Sequence, residues 1–572
     1  MRLAFLKQEV ANVHAAALLL GTAGLASRLV GVVRNRLLFA EFGAGRELDI
    51  YYAAFQIPDF MAAVFLLGAA SAAILPIFQE YLIEDRKKAK AFIAALSTLF
   101  FLAALALSAV VFFAVPAIVP LIAPGFSSGE RSLMTALVRL MLISPILFGL
   151  SGIFSVVLQS FRLFFVYALA PILYNMGIVV GILLFVPIFG VRGLGMGVAL
   201  GALLHMSVQY IFAARLGFGL TRIPDLVWKF QTKSGIAVGI RKVLVLSFPR
   251  VLAISLSQLT VLVLIAIGST LAEGSVAVFS AAYDLYFVPI GIFAASYAVA
   301  VFPRMARAAA LDSGRDFLEE LSAGIHSILF WVMPAAVLVL VLRAHIVRVG
   351  LGAGAFSWED TRLTAAVLAS LCIAMAAGAL HILLIRGFYA LGNTRIPLAV
   401  NAVTSVGTVG IAWALTRALG RASPESVAIA ALFRIQDMAH PAVLGMGLAF
   451  AAGVVINALA LWILLIRAAR RRFGIRAAPT GAKTIGQIAC AALGAGIAAY
   501  AVRASFSQTL PLITFARVLL QGAVAAGAGF GVYWAVLSML GNEEVGALRK
   551  SITRRLFSLR RLPAEWGGEA EK

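Results

Sequence analysis

Ser27, Arg28, Gly31 and Arg34 lie within two helical turns of one another, inside a run that is otherwise almost wholly apolar. If that run crosses a membrane, each charge costs at least about 2.5–3.5 kcal/mol to insert and needs a reason to be there. A guanidinium grips phosphate oxygens through two parallel hydrogen bonds, so an arginine pair facing a water-filled cavity suits a phosphate-bearing ligand. On an ideal helix Arg28, Gly31 and Asn35 share a stripe, whereas Arg34 lies roughly 120° from Arg28. Both arginines then face one cavity only if the helix bends, and Gly31 is the natural place for a bend. The other reading is that these arginines reach out to headgroups or pair with Glu41, Glu47 or Asp49. That reading is the weaker one for Arg28 and carries equal weight for Arg34.

Two further acids stand in apolar surroundings. Asp59 lies in the second apolar run, and Asp284 in Tyr283-Asp284-Leu285-Tyr286. Asp284 is a candidate proton or cation site, or the partner of a basic residue such as Arg28. His205, His326 and His381 read better as hydrogen-bonded packing residues than as a proton relay. Cys372 and Cys490 read as small buried hydrophobes rather than a disulfide or metal pair.

The elements that must position these groups are apolar helices. Of 572 residues 62% are hydrophobic and only 13% are charged, and the mean hydropathy is +1.00. Soluble domains carry roughly 25% charged residues, so this chain lacks the polar surface that a soluble fold needs. The net charge of +22 would suggest nucleic acid in a soluble protein. Here each basic run abuts an apolar span, as Lys and Arg do in cytoplasmic loops, and nucleic-acid binding is set aside.

Counting apolar runs of about 20 residues gives about fourteen spans, from one near 13–36 to one near 514–539. The fold class is all-α and polytopic. With the N-terminus inside, roughly thirty basic residues fall on the cytoplasmic side against roughly ten outside, so both termini are cytoplasmic. The segment from Leu548 to Arg561 alternates basic and apolar residues, which suits an interfacial helix or a solvated tail.

A repeat organises the spans. Leu158-Gln159-Ser160-Phe161 leads into Pro171 and Asn175, and Ile385-Arg386-Gly387-Phe388 leads into Pro397 and Asn401. Each pair joins the fourth and fifth spans of a six-span unit. The expected plan is an N-lobe over 1–218, a cytoplasmic linker over 219–238 and a C-lobe over 239–468. Two extra spans over 469–541 and a basic tail over 542–572 follow. Transporters built of such repeats place substrate between the lobes and rock one against the other.

In order and spacing these motifs resemble the MurJ (MviN) family of lipid II flippases, in the MOP transporter superfamily. The resemblance rests on Ser27-Arg28-x-x-Gly31-x-x-Arg34, Phe42-Gly43-Ala44-Gly45, Asp49, Phe55-x-x-Pro58, Gly68, Ser71 and Pro76. It continues through Ala123-Pro124-Gly125-Phe126, Arg162, Ala170-Pro171-x-x-x-Asn175 and the run from Gly387 to Pro397. It implies a flippase of the bacterial cytoplasmic (inner) membrane that moves lipid II, undecaprenyl-pyrophosphate carrying a disaccharide-pentapeptide, between leaflets by alternating access. It also implies a cationic cavity between the lobes and a groove at the last two spans for the polyprenyl tail. On this resemblance Arg28, Arg34 and Asp49 match family positions; with Ser27, Gly31 and Asp284 they make up the candidate cavity set, and Asn401 and Ser405 fall to a cation site. The chain departs from the family pattern at Gln56, at Ala62 or Ala63, at Leu67 and near Asp284, where the family has an arginine, and Ser405 replaces an expected acid, which weighs against sodium coupling. Membrane potential and protons stay open, and no cofactor is expected.

Three other functions compete. A flippase for another undecaprenyl-linked glycan, of O-antigen or capsule type, uses the same architecture. A cation-coupled exporter of amphiphilic cations calls for uncompensated carboxylates where this chain has arginines. An enzyme acting on the lipid calls for clustered carboxylates or a His/acid pair, and no such constellation has metal-ligand spacing.

Overall fold

The computed structural model describes the backbone of residues 13–68, 71–220, 236–421, 423–438, 440–474, 481–509, 514–546 and 548–549. Among them every regular element is a helix. In chain order these are α1 (Val13–Phe42), α2 (Arg46–Gly68), α3 (Ser71–Glu84), α4 (Arg86–Ile122), α5 (Ser128–Met141), α6 (Ile143–Ser160) and α7 (Phe164–Val180). A π-helical turn, Gly181–Phe185, leads to α8 (Val186–Phe189), then α9 (Arg192–Arg215), α10 (Ile236–Ser269) and α11 (Ser275–Pro289). After a second π-helical turn, Ile290–Ala294, come α12 (Ala295–Ala310), α13 (Gly314–Leu351), α14 (Trp358–Cys372), α15 (Met375–Ala390) and α16 (Arg395–Leu419). The chain ends with α17 (Pro424–Leu432), α18 (Val443–Phe473), α19 (Ala482–Thr509) and α20 (Phe515–Met539).

Ten of these stretches are long and apolar enough to cross a membrane, or eleven when α14 and α15, bent by 47°, count as one. The protein is a multi-pass membrane protein. The about fourteen spans read from sequence are reached only when α1, α2 and α10 are added. These are 30, 23 and 34 residues long, and each includes residues whose side chains are not described. Most of the linker expected over 219–238 and of the tail over 542–572 lies outside the described residues.

The turns between spans are fixed by local chemistry. Asp85 caps α4 by accepting from the Lys87 backbone N–H at 2.8 Å, and Ser127 and Glu130 form a reciprocal capping box at the start of α5. After α6 the chain turns through Arg162 at φ 56°, with Leu163 N–H donating to Leu158 O at 2.8 Å. The corresponding turn after α15 runs through Gly392 at φ 74°, with Asn393 N–H donating to Phe388 O at 2.9 Å. The two turns are alike in kind, but α15 runs about one turn further than α6 before it. Pro397 therefore sits in the first turn of α16, whereas Pro171 sits inside α7.

The chain forms two compact units. The first comprises Met1–Ala281, Gly350–Val367 and Asn401–Ala449, the second Ala282–Val349, Leu368–Val400 and Phe450–Lys572. The first takes in all of 1–218 and also α10, which packs along α2 and α4. Its core gathers Phe78, Phe92, Phe154 and Phe218 from α3, α4, α6 and the turn after α9. In the same unit α7 and α9 meet backbone to backbone. Gly177 and Gly181 face Gly201, Gly197 and Gly193 so closely that a Cβ at any of these positions would strike main-chain atoms. Lipid supplies no hydrophobic drive between helices, so such small-residue seams give the van der Waals contact that joins them.

The second unit packs α13 against α19 and α20. Phe330, Ile488, Ala495, Tyr533 and Leu537 form its core, and Tyr533 OH donates to Phe330 O at 2.6 Å. Cys372 is buried, but Cys490 is exposed on α19, a correction to its reading as a buried residue. It follows from the helix phase: Ile488 and Ala491 take the core-facing side.

Candidate functional site

Ser27, Gly31 and Arg34 recur at i, i+4 and i+7, so they share the face of α1 that packs on α7. Asn175 of α7 sits opposite. Arg34 is half-buried and donates through Nη1 to Asn175 Oδ1 at 2.9 Å. Its Nε and Nη2 donate to Asn35 Oδ1 at 3.0 and 2.8 Å. Asn175 Nδ2 donates to Pro171 O at 3.2 Å and reaches the carbonyl and hydroxyl oxygens of Ser27 at 3.4 Å. A methyl group at Gly31 would stand 3.9 Å from Asn175 Oδ1, so the glycine floors this polar cluster.

The structure thus gathers Ser27, Gly31 and Arg34, and adds Asn175. The sequence drew attention to Asn175 through the Pro-x-x-x-Asn repeat, but not as a partner of Arg34. α1 is one continuous helix, and the shared face is Ser27–Gly31–Arg34 rather than Arg28–Gly31–Asn35. Arg28 lies on an adjoining exposed face, with no hydrogen bond or ion pair to another described residue. Asp59 on α2, exposed, accepts from Gln258 Nε2 of α10 at 3.2 Å. Ala62 and Ala63, on one of which the resemblance expects a basic residue, are buried and half-buried.

Asp49 has a different setting from the one that the resemblance implies. It has no exposed surface, and its two carboxylate oxygens accept backbone N–H groups of Gly274 and Ala277, each at 2.8 Å. The carboxylate therefore caps the N-terminus of α11 from another helix, where free N–H groups and the helix dipole favour negative charge. Arg46 lies 3.7 Å from the same carboxylate and 3.2 Å from Glu130. Around this contact the loops at 43–45, 123–127, 270–274 and 352–357 interlock at one end of the first unit. Ala355 N–H donates to Ala40 O at 2.8 Å, Arg36 Nη2 to Gly352 O at 3.0 Å, and Gly125 N–H to Ser269 Oγ at 3.3 Å. Phe39 meets Phe356 edge to face at 5.2 Å. Gly274 at φ 82° and Gly354 at φ 50° bring the passing backbones so close that a Cβ would strike Ala44 O and Ala40 O. The glycine-rich loops were the sequence signal for this latch, and it was read only as part of a motif.

The remaining expected residues are dispersed. Asn401 and Ser405 lie on α16. Asn401 is buried, and Ser405 Oγ accepts from Thr260 Oγ1 of α10 at 2.7 Å. Among the described residues no group of three His, Cys, Asp or Glu is placed to hold a metal ion. Asp284 is exposed on α11, in the second unit, beside an aromatic cluster of Tyr283, Tyr286, Phe287 and Phe450. Two of the three histidines that the sequence picks out make side-chain hydrogen bonds within the helix packing. His205 Nδ1 lies 2.8 Å from Ser151 Oγ, which also accepts from Gln209, and His381 Nδ1 lies 2.8 Å from Asn457 Oδ1.

The chain is all-helical and multi-pass, with a half-buried arginine–amide contact between α1 and α7 and interlocked loops at one end of its first unit. Its fold matches that of an inward-facing multidrug-resistance MATE family transporter of the MOP superfamily over 79% of this chain and 96% of that one, at 14% identity and a TM-score of 0.63. A lipid II flippase MurJ structure in an inward closed conformation matches over 92% of this chain and 100% of that one, at 22% identity and a TM-score of 0.69. The family model for lipid II flippase MurJ matches residues 39–520. A probable lipid II flippase MurJ of Rhizobium tropici is 25% identical over 552 residues, 94% of this chain and 96% of that one. The chain belongs to the MurJ lipid II flippase family, a family of transporters and not of enzymes.

Proposed function

We propose that this protein moves lipid II, or the same polyprenyl-pyrophosphate lipid with a related glycan, from the inner to the outer leaflet of the bacterial cytoplasmic membrane. The observation that carries the reading is the Ser27–Arg34–Asn175 cluster, with the exposed Arg28 beside it on α1. A guanidinium held by two amide side chains keeps a fixed direction and a full charge, which suits a pyrophosphate that must be bound and then released. Both termini lie in the cytoplasm on the charge asymmetry of the loops. That orientation puts the Asp49 latch on the outer side, where it closes the path while substrate is taken up from within. Two six-span lobes followed by two further spans remain our reading of the plan. Asp284 is the candidate for sensing protons or potential.

An alanine at 62 or 63, where the resemblance implies one basic residue, favours keeping a second reading, transport of another undecaprenyl-linked glycan. Complementation of a strain depleted of its lipid II flippase separates the two. Restored growth supports lipid II, and failure by a well-expressed protein excludes it.

A further inference from the structure

A second concentration of positive charge lies in the first unit, away from α1 and α7. Trp413 and Arg417 lie four residues apart on one face of the last turns of α16, and Arg421 follows two residues beyond the helix end. They wall a cavity of about 600 Å³ whose other side is the end of α10, from Val263 to Leu271. The Arg417 guanidinium lies over the Trp413 ring, 4.0 Å from its centre. Neither arginine has a carboxylate partner among the described residues. The acid nearest in sequence on the far side of α17, Asp437, is taken by Arg362 at 2.7 Å. Arg421 also lines an adjoining cavity of about 280 Å³ that contains Ser275, Ser426, Gln436 and His440.

The rest of that face of α16 is apolar and open. Val403 is 72% exposed, Val406 75% and Trp413 54%. Between them Gly407 and Gly410 have no atom within 4 Å of where a Cβ would stand. The result is an apolar track, notched by glycines, that leads up to two guanidinium groups without counter-ions. Arginines bind phosphate oxygens bidentately, and a tryptophan suits the level where chains meet headgroups. A soluble anion would use the arginines and leave the track idle. A lipid uses both.

We propose that the cleft between the ends of α10 and α16 binds the phosphate of a membrane lipid headgroup at Arg417 and Arg421, with the lipid chain laid along Val403, Val406 and the glycine notch. The site is separate from the cluster on α1 and does not rest on the flippase reading.

The test is native mass spectrometry of the purified full-length protein with phosphatidylglycerol, with undecaprenyl pyrophosphate and with inorganic pyrophosphate as separate probes. Both arginines are exposed, so R417Q/R421Q should keep the thermal unfolding midpoint of the wild type. It should retain the bound lipid roughly tenfold less well. Whichever of the two lipids shows that loss is the ligand. A second variant, Gly410→Phe, fills the notch and should weaken lipid retention while leaving both arginines in place. Equal lipid retention by wild type and R417Q/R421Q would overturn the proposal and leave an interfacial belt of ordinary kind. Displacement of either lipid by inorganic pyrophosphate, with no effect of Gly410→Phe, would overturn it in favour of a soluble-anion site.

Discussion

Arg34 on α1 donates to Asn175 on α7 across 2.9 Å, and the same amide holds Ser27 with its other end. One side chain thus fixes two positions of α1 against α7. Arg34→Ala should cut lipid II flipping by at least roughly tenfold, since hydrogen bonds to charged groups contribute about 1.5–3 kcal/mol. Asn175→Leu should do much the same. The double variant should lose less than the two losses combined, because both substitutions break one contact. Flipping by reconstituted protein is the measurement, and additive losses would show that the two residues act apart.

Arg28 offers a different outcome, because it leans on no other described residue. Arg28→Ala should leave insertion, accumulation and thermal stability unchanged and still abolish transport. Wild-type flipping by that variant in proteoliposomes would remove Arg28 from the substrate path.

The latch predicts a change of conformation rather than of chemistry. Asp49→Ala deprives Gly274 and Ala277 of their buried acceptor, and such a loss is worth about 1.5–3 kcal/mol. The interlocked loops should open roughly tenfold more often or beyond. A cysteine placed at Phe356, which is buried against Phe39 in the interlocked loops, should then react faster with a membrane-impermeant thiol reagent added from outside. An unchanged labelling rate would separate Asp49 from closure.

Gly197→Leu attacks the seam between α7 and α9, where no space exists for a side chain. It should lower the unfolding midpoint steeply and reduce the amount of folded protein, as overpacking at a backbone contact does. A similar substitution at Gly486, where a Cβ meets nothing within 4 Å, should be tolerated. Equal stability of both variants would argue against the seam as a determinant of the fold.

Asp284 is exposed within an apolar helix. Asp284→Asn should alter the dependence of flipping on pH or on membrane potential. Identical profiles on both axes would take it out of the coupling mechanism.

Much of this was legible in the sequence, for physical reasons. The length and polarity of apolar runs report the membrane directly, and intramembrane arginines are costly enough to mark themselves, so Arg28 and Arg34 stood out. Their geometry did not follow. The helical wheel placed Arg28, Gly31 and Asn35 together, but the face that packs on α7 is Ser27, Gly31 and Arg34. Which stripe is buried depends on the neighbour, and a single helix does not name its neighbour. Asp49 shows the same limit. Its burial comes from a helix start more than two hundred residues away, and no periodicity connects the two.

Most of the latch consists of main-chain atoms: the carbonyls of Ala40, Ala44 and Gly352, and the N–H groups of Gly274, Ala277 and Ala355. Those atoms are the same whatever side chain hangs beside them. Most side chains of these loops can therefore change without removing those contacts. Only a few positions, Asp49, Gly274 and Gly354 among them, are tied to one chemistry. Divergence to 25% identity with a relative is thus compatible with keeping such main-chain contacts.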